Sequence, residues 1–382
     1  MDAVVIGGGI IGLASAYTLA DQGADVVLCE KKSLGNGSTE RSAGGIRTQF
    51  STPVNVELSK ISLETWRTFE AEFGTEIAHR QVGYLFLARD AETAAAFEDN
   101  VAMQNEHGIP SELLTPEEAT EHCPRLEPDA FQAATYCGQD GFADPHLALQ
   151  GYADAAQTVG VDIRTKTPVT DIRTRDGTVV GVETDDGRLD ADVVVNAGGP
   201  WARQIAAMAG IEVPVAPKRR QVLVVDPDVA VPEDVPLTID LDTGSYFRPE
   251  REGAALCGGH FDEPDPDQDP DAYRESFDLK WATTALERAA DYTTYFGPES
   301  AIKRGWAGLY AVTPDHHPII EETIPGFIQA IGFSGHGFQH SPATAEVVTE
   351  LAFDGEASLV DIAQLQSDRF ETGRLIHEQN VA

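Results

Sequence analysis

Apolar runs alternate with amphipathic segments along the first thirty residues. Asp2 to Ile6 is a run of mostly β-branched residues bounded by glycine, which predicts a buried parallel strand. Apolar side chains then recur at helical spacing until Gly23, and a second apolar run, Val26 to Cys29, ends at Glu30. The pattern predicts a strand, a helix and a second strand, which together form a βαβ unit.

Three glycines occupy the turn between the first strand and the helix. Gly7 permits a tight turn, Gly9 lets a pyrophosphate approach the backbone, and Gly12 lets the helix pack closely on the strand. Glu30 ends the second strand, where a carboxylate can bond the hydroxyls of an adenosine ribose. The unit predicts a dinucleotide without a 2′-phosphate and fits NAD as well as FAD. A glycine-rich turn in an ordinary α/β protein is the alternative, but it leaves the position of Glu30 unexplained.

The strand-glycine-helix pattern occurs twice more. A buried run ends in the segment Asn196–Trp201, and another precedes Ser334–Phe338, so both junctions are expected to meet other edges of the cofactor. Asp176-Gly177 and Asp186-Gly187 are hairpin signals between alternating runs. We predict helices near residues 53–73, 91–107, 145–159, 271–292 and 341–353, and strands near 83–87, 161–164, 220–225 and 245–248.

The charge balance restricts the partners. The chain has 63 acidic and 27 basic residues and a formal charge of −36, which repels nucleic acid and anionic membranes. Only seven of the basic residues are lysines. This pattern resembles proteins that work in molar salt, where the Debye length is about 3 Å, and it predicts that low salt destabilises the protein. An ordinary acidic soluble protein is the alternative.

Other sequence signals concern metals and location. The four cysteines are far apart and show no CxxC spacing, so we expect neither a disulfide scaffold nor a metal site. The acidic segment Asp262–Asp267 is broken by prolines and is expected to be a solvated surface loop. The N-terminus enters its first strand without a basic leader, and no apolar run reaches the roughly 18 residues of a spanning helix. The expected location is the cytoplasm.

Five motifs in order resemble one known family. They are GGGIIG with Glu30, NAGGPWA, YFRPE, GWAGLYAVTPDHHPII and GFSGHGF. Together they resemble the FAD-dependent amino-acid oxidase (DAO) superfamily, in its sarcosine oxidase and glycine oxidase group, which includes sarcosine oxidase β-subunits and dye-linked proline dehydrogenases. The resemblance spans nearly the whole chain.

The resemblance implies an α/β fold: a Rossmann-like FAD-binding domain (GR2-type) and a second α+β substrate domain built on an antiparallel sheet. A length of 382 residues also favours two domains, because single hydrophobic cores seldom grow that large. We expect residues 1–80, 142–216 and 301–382 in the FAD-binding domain, and residues 81–141 and 217–300 in the substrate-binding domain.

The resemblance also implies non-covalent FAD in an extended pose. The pyrophosphate would lie on the first glycine turn and the ribose on Glu30, while Gly335–Phe338 would cap the pyrimidine end of the flavin. The implied FAD contacts are Gly7, Gly9, Ile10, Ile11, Gly12, Glu30, Lys31, Ser38, Thr39, Ser42, Ala43, Gly44, Ala197, Gly198, Trp201, Gly308, Gly335, His336, Gly337 and Phe338. A hydrogen-bonded core histidine is the alternative for His336.

The implied reaction is hydride transfer from the amine-bearing carbon to flavin N5, giving an imine that water hydrolyses. Such a site needs a cation for the substrate carboxylate and a wall that excludes water. Arg47 is expected to hold the substrate carboxylate or to act on the flavin electrostatically. For Arg248, a surface ion pair is the alternative to a role at the substrate. The expected substrate-side residues are Arg47, Tyr246, Arg248, His260, Tyr310 and Gln339.

Three positions depart from the family pattern. Gly308 stands where single-chain sarcosine oxidases attach flavin to a cysteine, so the FAD is expected to be non-covalent. Gln339 replaces a carboxylate-binding lysine after GHGF, which implies a different clamp or a different substrate. Leu256 aligns with a lysine thought to promote oxygen reactivity, so we expect a dehydrogenase or a slow oxidase.

Two other functions remain open at this point. One is oxidation of a 2-hydroxy acid or glycerol 3-phosphate, for which the Arg219-Arg220 pair is a weak hint of a phosphate site. The other is a flavin-bearing subunit of a larger electron-transfer complex, although no CxxC set supplies an Fe-S cluster. The expected partners are a small amino acid or amine, oxygen or another electron carrier, and a homo-oligomeric or hetero-complex assembly, with no nucleic acid and no membrane span.

Overall fold

The computed structural model describes residues 1–261 and 265–381. Their strands are β1 (Asp2–Ile6), β2 (Asp25–Glu30), β3 (Gly45–Ile46), β4 (Tyr84–Ala88), β5 (Glu112–Leu114), β6 (Ala133–Cys137), β7 (Gly141–Phe142), β8 (Asp162–Thr165), β9 (Val169–Arg175), β10 (Thr178–Thr184), β11 (Gly187–Asp190), β12 (Val193–Asn196), β13 (Ala216–Asp226), β14 (Leu237–Asp240), β15 (Ser245–Pro249), β16 (Ala255–Gly259), β17 (Ala301–Val312), β18 (Ile319–Ile324) and β19 (Phe327–Ile331). Their α-helices are α1 (Ile10–Asp21), α2 (Pro53–Phe73), α3 (Ala91–Glu106), α4 (Pro116–Ala119), α5 (Pro145–Thr158), α6 (Ala202–Met208), α7 (Leu279–Tyr292), α8 (Gly337–Asp354) and α9 (Asp368–Thr372).

The first βαβ unit lies in the middle of a six-stranded sheet, in the order β18-β19-β12-β1-β2-β8. Every neighbouring pair is parallel except β18 with β19. Helices α1, α2, α5 and α8 bury their apolar sides against one face of this sheet in one large core. The sheet confirms the α/β prediction, and β1, α1 and β2 lie where the hydrophobic pattern predicts them.

The second large sheet has eight strands, in the order β17-β13-β16-β15-β14-β4-β6-β5. It is antiparallel apart from the β14–β4 pair, and α7 packs on it through Trp281 and Ala285. Strand β17 belongs to this sheet through its long ladder with β13, although residues 301–312 fall in the predicted FAD-binding domain. The exact division of the chain into two domains remains a prediction.

The smaller elements agree with the turn signals. Strands β9, β10 and β11 form a meander whose turns contain Asp176-Gly177 and Asp186-Gly187. Asp176 and Gly177 both have positive φ, at 52° and 81°, as a tight hairpin turn requires.

Two helices begin elsewhere than predicted. Helix α7 starts at Leu279 rather than near residue 271, because Asp271 and Asp278 bond Lys31, Arg219 and other side chains in an irregular segment. Helix α8 starts at Gly337, before the predicted residue 341. Pro342 is tolerated inside it because the Ser341 hydroxyl donates to the Phe338 carbonyl, the acceptor that the proline nitrogen cannot reach.

Part of the acidic segment Asp262–Asp267, residues 262–264, lies outside the described residues. Within the described ranges, each helix is too short or too polar to cross a bilayer. All four cysteines are buried free thiols.

Candidate active site

The turn after β1 has no room for a side chain at Gly7 or Gly12. Gly7 has a φ of +112°, and a Cβ there would lie 2.5 Å from the Ala197 carbonyl oxygen on the neighbouring chain segment. A Cβ on Gly12 would lie 1.9 Å from the Gly7 carbonyl oxygen, so α1 could not approach β1 as closely with any other residue. The bare backbone at the start of α1 therefore faces the crevice at the carboxyl ends of β1 and β12, where open α/β sheets bind their ligands.

Glu30 and Thr39 stabilise this turn. The Glu30 carboxylate accepts hydrogen bonds from the backbone N–H of Gly8 at 2.8 Å and of Lys32 at 2.7 Å. The Thr39 hydroxyl accepts from Ile10 N–H at 3.1 Å. Because a carboxylate has about four lone-pair sites, Glu30 keeps acceptor capacity for a further donor.

An elongated cavity of about 1760 Å³, including its open mouth, extends from Glu30 across the turn to the start of α8. Its walls contain most of the residues that the sequence predicts as cofactor contacts: Gly7, Gly9, Ile10, Ile11, Glu30, Lys31, Ser38, Thr39, Ser42, Ala43, Ala197, Gly198, Trp201, Gly308, Gly335, Gly337 and Phe338. Gly12, Gly44 and His336 are not among the described wall residues and lie just behind them.

Two tyrosines from the eight-stranded sheet close the other end of the cavity. Tyr246 lies opposite Gly258, where a Cβ would be 2.2 Å from the Tyr246 ring. Tyr310 packs on Gly335, where a Cβ would be 2.4 Å from its ring. Burial raises the pKa of both phenols, so each stays protonated and can donate a hydrogen bond at neutral pH.

Arg47 lies behind this cavity and is 5% exposed. Its guanidinium donates to the carbonyls of Gln49 and Asn380 and lies 3.1 Å from His336 Nε2. Burial is the main factor that lowers the pKa of Arg47, and the Glu378 carboxylate opposes it. The guanidinium already has three hydrogen-bond partners, and it lies behind the residues that form the cavity wall instead of on the cavity surface.

Gln339 and His336 belong to the same buried group. Gln339 Oε1 accepts a hydrogen bond from the Arg47 backbone N–H at 2.7 Å. Burial and the nearby Arg47 charge lower the pKa of His336 well below its ordinary value, so its ring is neutral. The structure therefore brings Arg47, His336 and Gln339 together, immediately behind the Gly335–Phe338 turn.

Arg248 and His260 lie apart from that group. Arg248 donates to the carbonyls of Ala43 at 3.1 Å and Pro249 at 2.9 Å and pairs with Glu250 at 3.3 Å. It lines a second, polar cavity of about 1310 Å³ on the same face of the eight-stranded sheet. His260 lies 3.6 Å from the Asp265 carboxylate.

The comparison with protein families agrees with this geometry. Residues 2–351 match the family model described as FAD dependent oxidoreductase, DAO. The chain belongs to the DAO family. As members of this family are FAD-dependent flavoproteins, the protein is a FAD-dependent oxidoreductase. The glycine turn that excludes a Cβ at Gly7 and Gly12, the acceptor at the end of β2 and the long cavity all fit that cofactor.

Named DAO relatives resemble nearly the whole chain. L-Proline dehydrogenase from P. horikoshii superposes with a TM-score of 0.90 and 34% identity, covering 98% of this chain and 99% of that one. FAD-dependent oxidoreductase domain-containing protein 1 of Bos taurus is 30% identical over 99% of this chain and 86% of its own length. Mitochondrial dimethylglycine dehydrogenase of Rattus norvegicus is 30% identical over 97% of this chain, which spans 45% of that relative.

Gly308 and Leu256, two of the three positions that depart from the DAO pattern, and the nearby Lys218 have the following neighbours. A Cβ on Gly308 would lie 2.8 Å from Arg41 Cβ, so the Arg41 side chain occupies the space above this glycine. Leu256 is buried in the wall of the second cavity. Lys218 pairs with Asp267 at 2.8 Å and donates to the Asp265 carbonyl.

Two arginines in the wall of this DAO-family cavity, Arg41 and Arg220, are not among the individual site residues that the sequence predicted. Arg41 donates to the carbonyls of Asn36 and Gly37, each at 3.1 Å, and so shapes the loop after β2. Arg220 reaches the tyrosine end from β13. Strand alternation gave a usable signal, because Arg220 and Val222 must share one face of β13 while Arg219 occupies the other.

Proposed function

We propose that this enzyme oxidises the C–N bond of a small amino acid or N-methyl amino acid of the sarcosine, glycine, proline or D-amino-acid type. One observation carries the proposal: Tyr246, Tyr310 and the cation Arg220 meet at the end of the cavity opposite the dinucleotide turn. A carboxylate-bearing amine needs a cation and hydrogen-bond donors in such an apolar recess. The names of two relatives, L-proline dehydrogenase and dimethylglycine dehydrogenase, belong to the same substrate class.

The chain's residues divide into two tasks in this proposal. Gly7, Gly9 and the start of α1 would hold the pyrophosphate, Glu30 would hold the ribose, and the turn Gly335–Phe338 would hold the pyrimidine end of the flavin. The Arg47 charge and the N-terminus of α8 present positive potential at that end. Tyr246 and Tyr310 orient the substrate and exclude water. Bound FAD would supply the hydride acceptor for the amine-bearing carbon, and water would hydrolyse the resulting C=N bond.

We propose that the FAD is held without a covalent bond. Gly308 offers no thiol, and the adjacent Arg41 Cβ leaves no room for one. Acid precipitation of the purified holoenzyme should release all of the yellow flavin into the supernatant. A flavin that stays with the precipitate would contradict this.

We propose a dehydrogenase or slow oxidase. The resemblance aligns Leu256 with the lysine thought to promote oxygen reactivity, and Lys218 pairs with Asp267 and donates to the Asp265 carbonyl. Among the described wall residues, the cavity's lysines are Lys31 and Lys32, which lie at the Glu30 end. The reduced enzyme should therefore reoxidise slowly in air and quickly with an artificial dye acceptor.

An anaerobic screen tests the proposed reaction. Sarcosine, dimethylglycine, glycine, L-proline and D-alanine are added in turn to the oxidised holoenzyme in molar salt, and the flavin absorbance is recorded. We expect at least one of them to bleach the flavin, and lactate and glycerol 3-phosphate to leave it oxidised. Bleaching by lactate or glycerol 3-phosphate alone would contradict the proposal and favour the hydroxy-acid alternative. Admission of air then gives the reoxidation rate.

We further propose a cytoplasmic enzyme of a high-salt cell, working as a homo-oligomer or within a hetero-complex. The support is the charge of −36 with only seven lysines. Raising KCl from 0.1 to 3 M should increase the melting temperature, because screening weakens the repulsion among the acidic residues. An equal osmolality of sucrose is the control, and a melting temperature that does not rise with KCl would contradict the salt adaptation. Size-exclusion chromatography in the same salt gives the assembly state.

A further inference from the structure

Arg220 is the cation at the tyrosine end of the main cavity. Among the described wall residues the other cations are Lys31, Lys32 and Arg41. Lys31 and Lys32 lie toward the dinucleotide turn, whereas Arg41 packs over Gly308, donates to the Asn36 and Gly37 carbonyls and pairs with Glu275 at 3.1 Å. Arg220 pairs in register with Gly308 across the β13–β17 ladder, and its guanidinium lies 5.6 Å from the centre of the Tyr310 ring. Its side chain is 14% exposed, so it is largely desolvated but reachable from the cavity.

A carboxylate of the protein itself already occupies the Arg220 guanidinium. Nη1 of Arg220 lies 3.1 Å from Asp265 Oδ1, and Nη2 lies 3.0 Å from Asp265 Oδ2. Two parallel N–H···O bonds of this kind are the fork geometry in which arginine recognises any carboxylate. The Asp265 side chain therefore makes the contacts that the carboxylate of an amino-acid substrate would require.

The Asp265 backbone is held independently of Arg220. Lys218 Nζ donates to the Asp265 carbonyl at 2.5 Å and pairs with Asp267 at 2.8 Å, while Gln268 N–H donates to the Pro217 carbonyl at 2.9 Å. The Asp265 carboxylate also lies 3.6 Å from His260 Nε2. Because its segment is anchored along β13, Asp265 can release Arg220 by a change of side-chain rotamer and still keep charged neighbours.

The other two arginines expected near the substrate are already engaged. Arg47 donates to two buried carbonyls and to His336, and Arg248 donates to two carbonyls and to Glu250. Binding a substrate carboxylate at either of them would leave buried carbonyl oxygens without donors, which costs about 1–3 kcal/mol each. Arg220 donates to a single carbonyl, that of its neighbour Arg219 at 2.9 Å, and its other partner is the Asp265 carboxylate, which another carboxylate can replace on the same two nitrogens.

We propose that Arg220 binds the substrate carboxylate and that Asp265 is a built-in competitor which the substrate displaces. The inference rests on the proposed amino-acid oxidation and names the residue that selects for it. Displacing Asp265 lowers the apparent affinity for every ligand, since only the fraction of molecules with a free fork can bind. A ligand that lacks a carboxylate cannot displace Asp265 and gains nothing from Arg220, which makes the pair a specificity filter.

The test uses the holoenzyme with acetate and 2-furoate as carboxylate probes, and acetamide and 2-furamide as uncharged counterparts. Dissociation constants come from the flavin difference spectrum and, independently, from tryptophan fluorescence. For the carboxylates, R220Q should raise the dissociation constant about 10- to 100-fold, R220K should raise it less, and D265N should lower it about 3- to 10-fold. The matched control is R219Q, because Arg219 lies on the opposite face of β13 and pairs with Asp278.

The double variant R220Q/D265N separates competition from a structural effect. If Asp265 competes for Arg220, the double variant should bind the carboxylate probes no more tightly than R220Q alone. The dissociation constants of the two amides should be the same in all variants. The inference would be overturned if R220Q bound the carboxylate probes with the wild-type dissociation constant, or if D265N bound them more weakly than the wild type.

The outcome is distinguishable from failure of the proposed function. If amino acids bleach the flavin with the same KM in R220Q as in the wild type, the Arg220 assignment is wrong and the function stands. If no amino acid bleaches the flavin but carboxylate binding follows Arg220 and Asp265 as described, the proposed reaction is wrong and the carboxylate site stands.

Discussion

Nη2 of Arg47 lies 3.1 Å from Nε2 of His336, inside the protein and directly behind the cavity. A guanidinium has only donors, so His336 Nε2 must accept, and the ring proton is on Nδ1. Burial together with the Arg47 charge lowers the pKa of His336 and keeps this tautomer neutral. One buried arginine thus fixes both the charge and the tautomer of the residue that precedes α8.

Replacing Arg47 with lysine should destabilise the protein strongly. An ammonium cannot reach the Gln49 and Asn380 carbonyls and His336 at once, so buried acceptors lose their donors. We expect R47K to lower the free energy of unfolding by about 2–4 kcal/mol in urea titrations at 3 M KCl. The control is R188K at an exposed arginine, which should change stability by less than about 0.5 kcal/mol. If R47K and R188K lowered the free energy of unfolding equally, the buried contacts of Arg47 would not contribute to stability more than those of an exposed arginine.

His340 should make stability depend on pH. Burial, with smaller contributions from Arg47 and His317, lowers the pKa of His340 to about 3. As the pH falls, the unfolded chain, in which histidine has a pKa of about 6.5, takes up the proton first. The contribution of neutral His340 to the free energy of unfolding is therefore complete above pH 6.5 and is lost as the pH falls toward 3. Asp140 acts in the opposite direction below pH 6, because burial raises its pKa to about 6.

The variant H340Q isolates this effect. The difference in unfolding free energy between wild type and H340Q should change by about 1.4 kcal/mol per pH unit below pH 6.5, which corresponds to one proton. Urea unfolding at several pH values between 4.5 and 7.5 measures this slope, and the Asp140 contribution cancels in the difference. Parallel pH profiles for the two proteins would mean that His340 has the same pKa in the folded and unfolded states.

The sequence predicted those parts of the fold that depend on neighbours in the chain. Helix α2 spans the predicted residues 53–73, because Pro53 can occupy the first turn and Gly74, with a φ of 69°, ends the helix. The glycine turn after β1 was predictable as well, since Gly12 is required by the Gly7 backbone within the motif and Gly7 by the Ala197 backbone after the adjacent strand. Local chemistry was sufficient in both cases.

The candidate site was less predictable where partners are distant along the chain. In the sequence, Gln339 stands where related oxidases have a lysine that binds the substrate carboxylate. In the structure, its side-chain oxygen accepts a hydrogen bond from the backbone N–H of Arg47, 292 residues away. Arg220 gave only a weak phosphate hint, because its carboxylate partner, Asp265, is brought to it by the pairing of a loop along β13. Neither contact has a local signal such as hydrophobic period or turn chemistry.

Gly308 should not tolerate a side chain while Arg41 is present. A Cβ at position 308 would lie 2.8 Å from Arg41 Cβ, so G308A should lower the free energy of unfolding by about 1–3 kcal/mol and loosen FAD. The double variant G308A/R41G should recover part of the loss, which a double-mutant cycle measures. G37A is the control, because its new methyl would meet the Trp201 ring at an ordinary 3.6 Å. Additive single-site effects would contradict a direct clash.

Glu378 should hold the C-terminal segment against the start of α2. Its carboxylate, 3% exposed, accepts from Ser51 N–H at 2.8 Å, the Ser51 hydroxyl at 2.7 Å, the Thr52 hydroxyl at 3.0 Å and the Asn55 amide at 3.0 Å. In E378Q an amide NH₂ faces these donors, so we expect a loss of about 2–4 kcal/mol in urea unfolding.

The same substitution should also reach the cavity, because the Asn380 carbonyl that accepts from Arg47 follows two residues later. The FAD dissociation constant of E378Q, from flavin fluorescence on dilution, should therefore rise about 3- to 10-fold together with the loss of stability. The control E371Q, at an exposed glutamate of α9, should leave both quantities unchanged. If E378Q loses stability but retains FAD as the wild type does, the C-terminal segment supports α2 without positioning Arg47, and the link between them is wrong.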